Sequence, residues 1–209
     1  AERLKEKFLE EEKIVDIVAG PDAYRALPGL IEEAETGQKA VNVLLSREET
    51  YAEINPVRLN TNGITAFISI MRGCDNMCSF CVVPYTRGEE ISRPFDDVIA
   101  EIAHLTSQGV REITLLGQNV NGYRGTFHNG EICSFAELLK HIADIDGIGR
   151  IRYTTSHPLE FSDELIQAYT EIPKLVSHVH LPVQSGSDSM LAAMKRNHTA
   201  ADYLARIHK

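Results

Sequence analysis

The sequence predicts an α/β fold in two parts: a small α/β unit, then a parallel sheet whose strands are joined by helical crossovers. Three observations lead there. Apolar strand patterns alternate with amphipathic helix patterns from residue 64 onward. The first of these strands, "ITAFISIM" (64–71), is nearly continuous apolar, as expected for a strand covered on both faces. Each strand is followed at once by a polar or glycine-bearing cluster, and parallel α/β folds bind ligands at the carboxyl ends of their strands.

The chain opens with a helical pattern at 2–13, then a short apolar strand, "IVDIVAG" (14–20), and a helix at 22–35. Pro21 suits the turn into that helix and Gly37 its end. "KAVNVLL" (39–45) reads as a second strand, so residues 1–45 make the first unit. Residues 46–63 lack a period and read as a linker. In the third stretch, 64–209, strands are expected at 64–71, 110–116, 149–155 and 177–183, with helices near 95–108, 134–145 and 162–171. The middle helix carries the clearest signal. Ser134 and Glu137 form an S-x-x-E capping box, and Phe135, Leu138, Leu139, Ile142 and Ile145 keep helical spacing. Such alternation implies right-handed crossovers and a parallel sheet.

Composition narrows the function. The 209 residues carry a net charge of −9, with 30 acidic against 21 basic side chains, so the chain alone is poorly suited to gripping a phosphate backbone. No apolar run is long enough to span a bilayer and no signal-peptide pattern opens the chain, which points to the cytoplasm. Both ends fall within helical patterns and read as cut. A reducing compartment makes clustered cysteines metal ligands or catalytic groups before disulfides.

Three of the four cysteines lie within "RGCDNMCSFCVVPYTRG" (72–88), as Cys74, Cys78 and Cys81. A disulfide would strand one of them. Structural zinc wants four ligands, and the alternatives for a fourth are weak: Cys133 precedes a capped helix, and His104 falls mid-helix. A [4Fe–4S] cluster fits the pattern better, with three thiolates on one short loop and one iron left open for a small molecule.

C-x3-C-x2-C directly after the first strand of a parallel barrel resembles the radical S-adenosylmethionine (SAM) superfamily. That resemblance implies that the open iron chelates SAM through its amino and carboxylate groups. One electron then cleaves SAM to methionine and a 5′-deoxyadenosyl radical. It also places the aromatic residue before the last cysteine, Phe80, beside the adenine.

"RGCDNMCSFCVVPYTRGEEISRP", "LLGQNVNGYRG", "TTSHP" and "HLPVQSGSD" further resemble the methylthiotransferases, and "VVPYTRG" most resembles the MiaB-type tRNA methylthiotransferases. The implied reaction inserts a methylthio group at C2 of N6-isopentenyladenosine beside the anticodon of tRNA. The implied partners are tRNA and an electron donor such as flavodoxin or ferredoxin. Methylthiolation of a ribosomal protein, or a non-catalytic iron–sulfur or zinc-binding scaffold, remains the alternative.

Gln118 and Asn119 stand where the superfamily places groups that bind the amino end of SAM. Gln184 and Ser185 are expected to line the same site, with Gly186 allowing close backbone approach. His157, held extended before Pro158, is a further candidate. Arg87 and Arg93 are candidates for a phosphate or the SAM carboxylate.

The resemblance is incomplete. A second [4Fe–4S] cluster is expected in the family's N-terminal domain, but its cysteine triad is absent here, and Cys133 reads as structural. The fold that the resemblance implies is a partial parallel (β/α) radical SAM barrel, with about four of six βα units visible, preceded by the end of the family's α/β N-terminal domain and without its basic RNA-binding domain. Ile91 stands where many members have Arg, and "KRNHT" replaces "KRGYT". The chain is therefore expected to be a fragment unable to complete the reaction alone.

Overall fold

The computed structural model describes residues 4–45 and 63–209. The expected linker falls almost wholly outside them. Of the described residues, 4–45 with 82–88 fall in one compact unit, and 63–81 with 89–209 in another.

The first unit contains helix α1 (Lys5–Glu11), strand β1 (Ile17–Ala19), helix α2 (Leu27–Glu35), strand β2 (Ala40–Asn42) and helix α3 (Val83–Arg87). β1 and β2 pair in parallel, Val18 opposite Val41, and α2 crosses between them. Its small core gathers Ala23, Leu30 and Ala40. Pro28 sits in the first turn of α2, where the missing N–H leaves no bond unmade.

The second unit is built on a parallel sheet of β3 (Thr65–Ser69), β6 (Glu112–Leu116) and β9 (Arg150–Tyr153), with β6 in the middle. Between them come β4 (Met71–Arg72), β5 (Ile91–Ser92), β7 (Arg124–Thr126) and β8 (Ile132–Ser134), which form two small antiparallel pairs. Helices α4 (Phe95–Ser107) and α5 (Phe135–Ala143) make the crossovers, and α6 (Asp163–Glu171), α7 (Asp188–Ala193) and α8 (Ala200–Ile207) follow.

Ala66, Ile68, Ile113, Leu115, Ile151 and Tyr153 all point to one face of the sheet and are buried there. Val98, Ile102 and Leu105 of α4, Leu138, Leu139 and Ile142 of α5, and Leu165 and Ala168 of α6 complete that core. The period of two along the strands meets the helical period across the interface, which is what buries both sets at once. The α5 capping box forms as expected: Glu137 N–H donates to Ser134 Oγ (3.2 Å), and Ser134 N–H donates to Glu137 Oε2 (2.7 Å). The Ser134 N–H first, and then the Ser134 side chain, hold the Glu137 carboxyl below the usual carboxylate range.

Two expectations are corrected. The strand at 64–71 is not covered on both faces: Phe67 is 64% exposed and Ser69 is exposed, while Ala66 and Ile68 between them are buried. On that same face Glu112 is bonded to both Arg150 Nε (3.0 Å) and Arg152 Nε (3.3 Å).

The expected fourth strand at 177–183 does not form a ladder. The chain meets β9 by one parallel bridge, Ile151 with Leu175. Thr155 has φ +69°, which turns the continuation of β9 out of the extended region. Its N–H donates to the His180 side chain at Nδ1 (3.0 Å), and Pro182 has no N–H to offer. The segment runs alongside the sheet without joining it.

Candidate functional site

The cysteine loop leaves the sheet edge through β4, which pairs with β5 in register Met71 with Ser92 and Arg72 with Ile91. Gly73 (φ +74°) and Met77 (φ +47°) both take left-handed conformations, so the loop doubles back within a few residues. Cys81 N–H closes a tight turn on the Cys78 carbonyl (3.0 Å). All three loop thiols are free and partly exposed, whereas Cys133, in β8, is free and fully buried. Asn76 Nδ2 donates to Cys74 Sγ (3.3 Å). Burial pushes the Cys74 thiol above its ordinary value, against the pull of the Asn76 bonds.

The carboxyl end of β6 packs against this loop. Gly117 makes that approach possible, because a Cβ there would lie 2.4 Å from Met71 Sδ. Gln118 Oε1 accepts the Gly73 N–H at 2.8 Å. Asn119 is 3% exposed; its own N–H donates to Met71 Sδ (3.4 Å) and its Nδ2 to Glu90 Oε2 (3.0 Å). Asn119 Oδ1 is buried without a hydrogen-bond partner. Glu90 is tied back to the loop by its N–H, which donates to Asp75 Oδ1 (3.0 Å). Burial raises the Glu90 carboxyl above its ordinary range, with Asn119 opposing.

At the end of β9 the chain forms a second buried polar joint. His157 N–H donates to Asn121 Oδ1 (2.8 Å), and Asn121 Nδ2 donates to the His157 carbonyl (2.9 Å). His157 is extended (φ −113°, ψ 136°), as a residue before proline should be, and its Nδ1 caps the following short turn by accepting the Leu159 N–H. Its ring stands at 89° to His198, with centroids 5.9 Å apart.

The residues after α7 clamp the cysteine loop from the other side. Ser79 donates through N–H to the Met194 carbonyl (3.1 Å) and through Oγ to the Ala193 carbonyl (2.8 Å). Arg196, 6% exposed, donates through Nη1 to Cys78 Sγ and through Nη2 to the Pro182 carbonyl, both at 3.4 Å.

The expected site residues therefore separate into groups. Gln118 and Asn119 reach the cysteine loop or its neighbour Glu90 directly. Gln184 (φ +68°) and Ser185 sit in the turn into α7, where Ser185 Oγ accepts the Ser187 N–H (3.1 Å); among the described residues no hydrogen bond joins them to the cysteine loop. Phe80 is 53% exposed, open to a flat ligand. Arg87 ends α3, in the first unit. Arg93 is corrected: it is 5% exposed and its Nη1 is spent on Glu101 Oε2 (2.7 Å) and the Ser69 carbonyl (2.9 Å), which makes it a core brace. Glu90, Ser79 and Arg196 were not picked out from the sequence. Their only signal was membership of the "GEEISRP", cysteine and "KRNHT" stretches.

The donor set tests whether an iron–sulfur cluster fits. A mononuclear ion gathers its ligands about one centre, and among the described residues no three His, Cys, Asp or Glu side chains do so. A cubane takes each thiolate on a different iron. Three free thiols on one doubled-back loop, with N–H groups on two of the sulfurs, suit that second arrangement.

The profile of the radical SAM superfamily matches residues 68–209. A tRNA-2-methylthio-N(6)-dimethylallyladenosine synthase of Pseudomonas paraeruginosa is 60% identical over 196 residues, 93% of this chain and 44% of that protein. The protein of the same name from Chloroherpeton thalassium is 55% identical over 207 residues, 99% of this chain and 45% of its own length. The chain thus spans less than half the length of these relatives. Among solved structures, the cobalamin-dependent SAM radical enzyme OxsB superposes with a TM-score of 0.55 at 11% identity, over 97% of this chain and 40% of that one, a likeness of fold alone.

Proposed function

The chain belongs to the radical SAM superfamily, and from that premise we propose that it forms the radical-generating core of a tRNA methylthiotransferase acting at C2 of N6-isopentenyladenosine. The superfamily implies a [4Fe–4S] cluster and SAM, and in this reading Cys74, Cys78 and Cys81 hold the cluster. When bound, the cluster and SAM supply a 5′-deoxyadenosyl radical able to abstract hydrogen from an unactivated carbon.

The chain's own residues provide the mounting. The observation that carries the reading is the bracing of a three-thiol loop at the carboxyl end of β3 by side chains from the next strand end. Gln118 fixes Gly73, Glu90 fixes the Asn119 carboxamide, and the orphaned Asn119 Oδ1 is left as an acceptor for an ammonium group. Phe80 offers an exposed ring for stacking on adenine. Gln184 and Ser185 complete the rim.

Contact with tRNA and a second [4Fe–4S] cluster for sulfur belong, in this reading, to the remainder of an enzyme of the relatives' length. A flavodoxin or ferredoxin would deliver the electron, in the cytoplasm. Among the described residues no helix is long and apolar enough to cross a membrane.

Anaerobic reconstitution tests the proposal. The chain should take up iron and sulfide in equal amounts and, with reductant, convert SAM to 5′-deoxyadenosine. Stoichiometric zinc without iron would refute it. Adding N6-isopentenyladenosine-containing tRNA to the full-length enzyme, and seeking the methylthio product by mass spectrometry, tests the substrate.

A further inference from the structure

Arg196 presents an unbalanced buried charge. Arg196 is 6% exposed, and among the described residues no carboxylate pairs with it. One N–H reaches Cys78 Sγ and another the Pro182 carbonyl, while Nε is buried with no partner at all. A guanidinium does not neutralise itself by losing a proton, so a buried one needs a counter-charge. Its other neighbours do not provide it. His157 and His198 stand beside it, and both are neutral or cationic side chains. Among the described residues, the only group in contact with it that can carry negative charge is the Cys78 sulfur.

We infer that Arg196 is the counter-cation of the iron–sulfur site, placed to stabilise the more negative, reduced state of a cluster ligated through Cys78. The inference rests on the cluster reading above and adds to it a positioning residue that lies 118 positions away in sequence. Cluster potentials respond to net charge and to hydrogen bonds on the ligating sulfurs, and Arg196 contributes both at one sulfur. The same side chain anchors the clamp: Ser79, next to Cys78, is bonded to Ala193 and Met194 just before Arg196. The turn after α7 and the cysteine loop therefore form one hydrogen-bonded piece, and Lys195 (φ +56°) and Asn197 (φ +57°) hold the backbone on either side of the arginine.

The test is an anaerobic redox titration followed by EPR, on the reconstituted chain and on R196Q and R196K. R196Q should still bind iron, but its reduced-to-oxidised ratio at a fixed potential should fall about tenfold, ~59 mV for a one-electron couple. R196K keeps the charge and should stay within about twofold of the parent. An iron-loaded R196Q that titrates like the parent would overturn the inference and leave the cluster reading intact. A parent chain that takes up no iron would overturn both. If R196Q takes up no iron, R196K decides: a ratio near the parent's supports the role of charge, and a tenfold fall refutes it.

Discussion

Gln118 Oε1 accepts the backbone N–H of Gly73 at 2.8 Å, so the end of the second sheet strand holds the residue immediately before Cys74. The bond spans 45 positions and ties the cysteine loop to the rigid part of the sheet. It also alters the role expected of Gln118. Its acceptor end is committed to the protein, which makes it first a brace of the loop and only through its NH2 group a contact for a ligand. Gly73 is buried, so Gln118→Ala leaves a buried donor unmade and should cost about 1–3 kcal/mol in urea unfolding. Gln118→Glu, which keeps an acceptor, should recover most of that loss. Equal losses in both variants would show that the bond does not hold the loop.

Cys133 gives a prediction of the opposite kind. Its side chain is fully buried, and burial pushes its thiol up to about 12. The thiolate is the reactive form, so this cysteine should stay inert in the folded chain. Timed alkylation of the metal-free protein, followed by peptide mass spectrometry, should label Cys74, Cys78 and Cys81 well before Cys133. Cys133→Ala should keep full iron uptake. Loss of iron from that variant would return Cys133 to the ligand set.

The elements readable in the sequence were those with a local cause. The α5 box needed only Ser134 and Glu137, three residues apart, and it is present. The strands β3 and β6 lie on the apolar runs, β9 on the alternating stretch at 149–155, and the cysteine spacing marks the loop. What was not readable depends on distant partners. The alternation of 177–183 is real, yet the left-handed Thr155 prevents β9 from continuing to meet it. Arg93 looked like a free loop cation until Glu101, on the next helix, came to face it. Arg196 and Cys78 share no period or motif; only the fold of α7 over the loop joins them.

Glu90 should make the stability of the metal-free chain depend on pH in a specific direction. Burial raises its carboxyl in the folded state above its unfolded value of about 4.3. Its contribution is therefore complete below that value and is lost as pH rises through the raised folded value. Glu90→Gln keeps a carbonyl to accept from Asn119 Nδ2 and cannot ionise. The variant should be at least as stable as the parent at neutral pH, the gap closing as pH falls toward about 4. A gap that widens on acidification would contradict the assignment.

His157 acts in the opposite sense. Burial first, then the neighbouring Arg196 and His198, lower its imidazole to about 4 in the folded state. In the unfolded chain it takes up its proton near 6.5, roughly. Between these two values the unfolded state binds a proton that the folded state refuses. The stabilisation is whole above the unfolded value and is lost as pH falls through the window, by about 1–3 kcal/mol. His157→Asn offers an acceptor close to Nδ1 for the Leu159 N–H and leaves the backbone pair with Asn121 in place. Its unfolding free energy should be flatter than the parent's across that window, measured in urea at a series of pH values. If both fall equally, the buried imidazole is not what the acid attacks. The loss would then have to come from another group that titrates in that range.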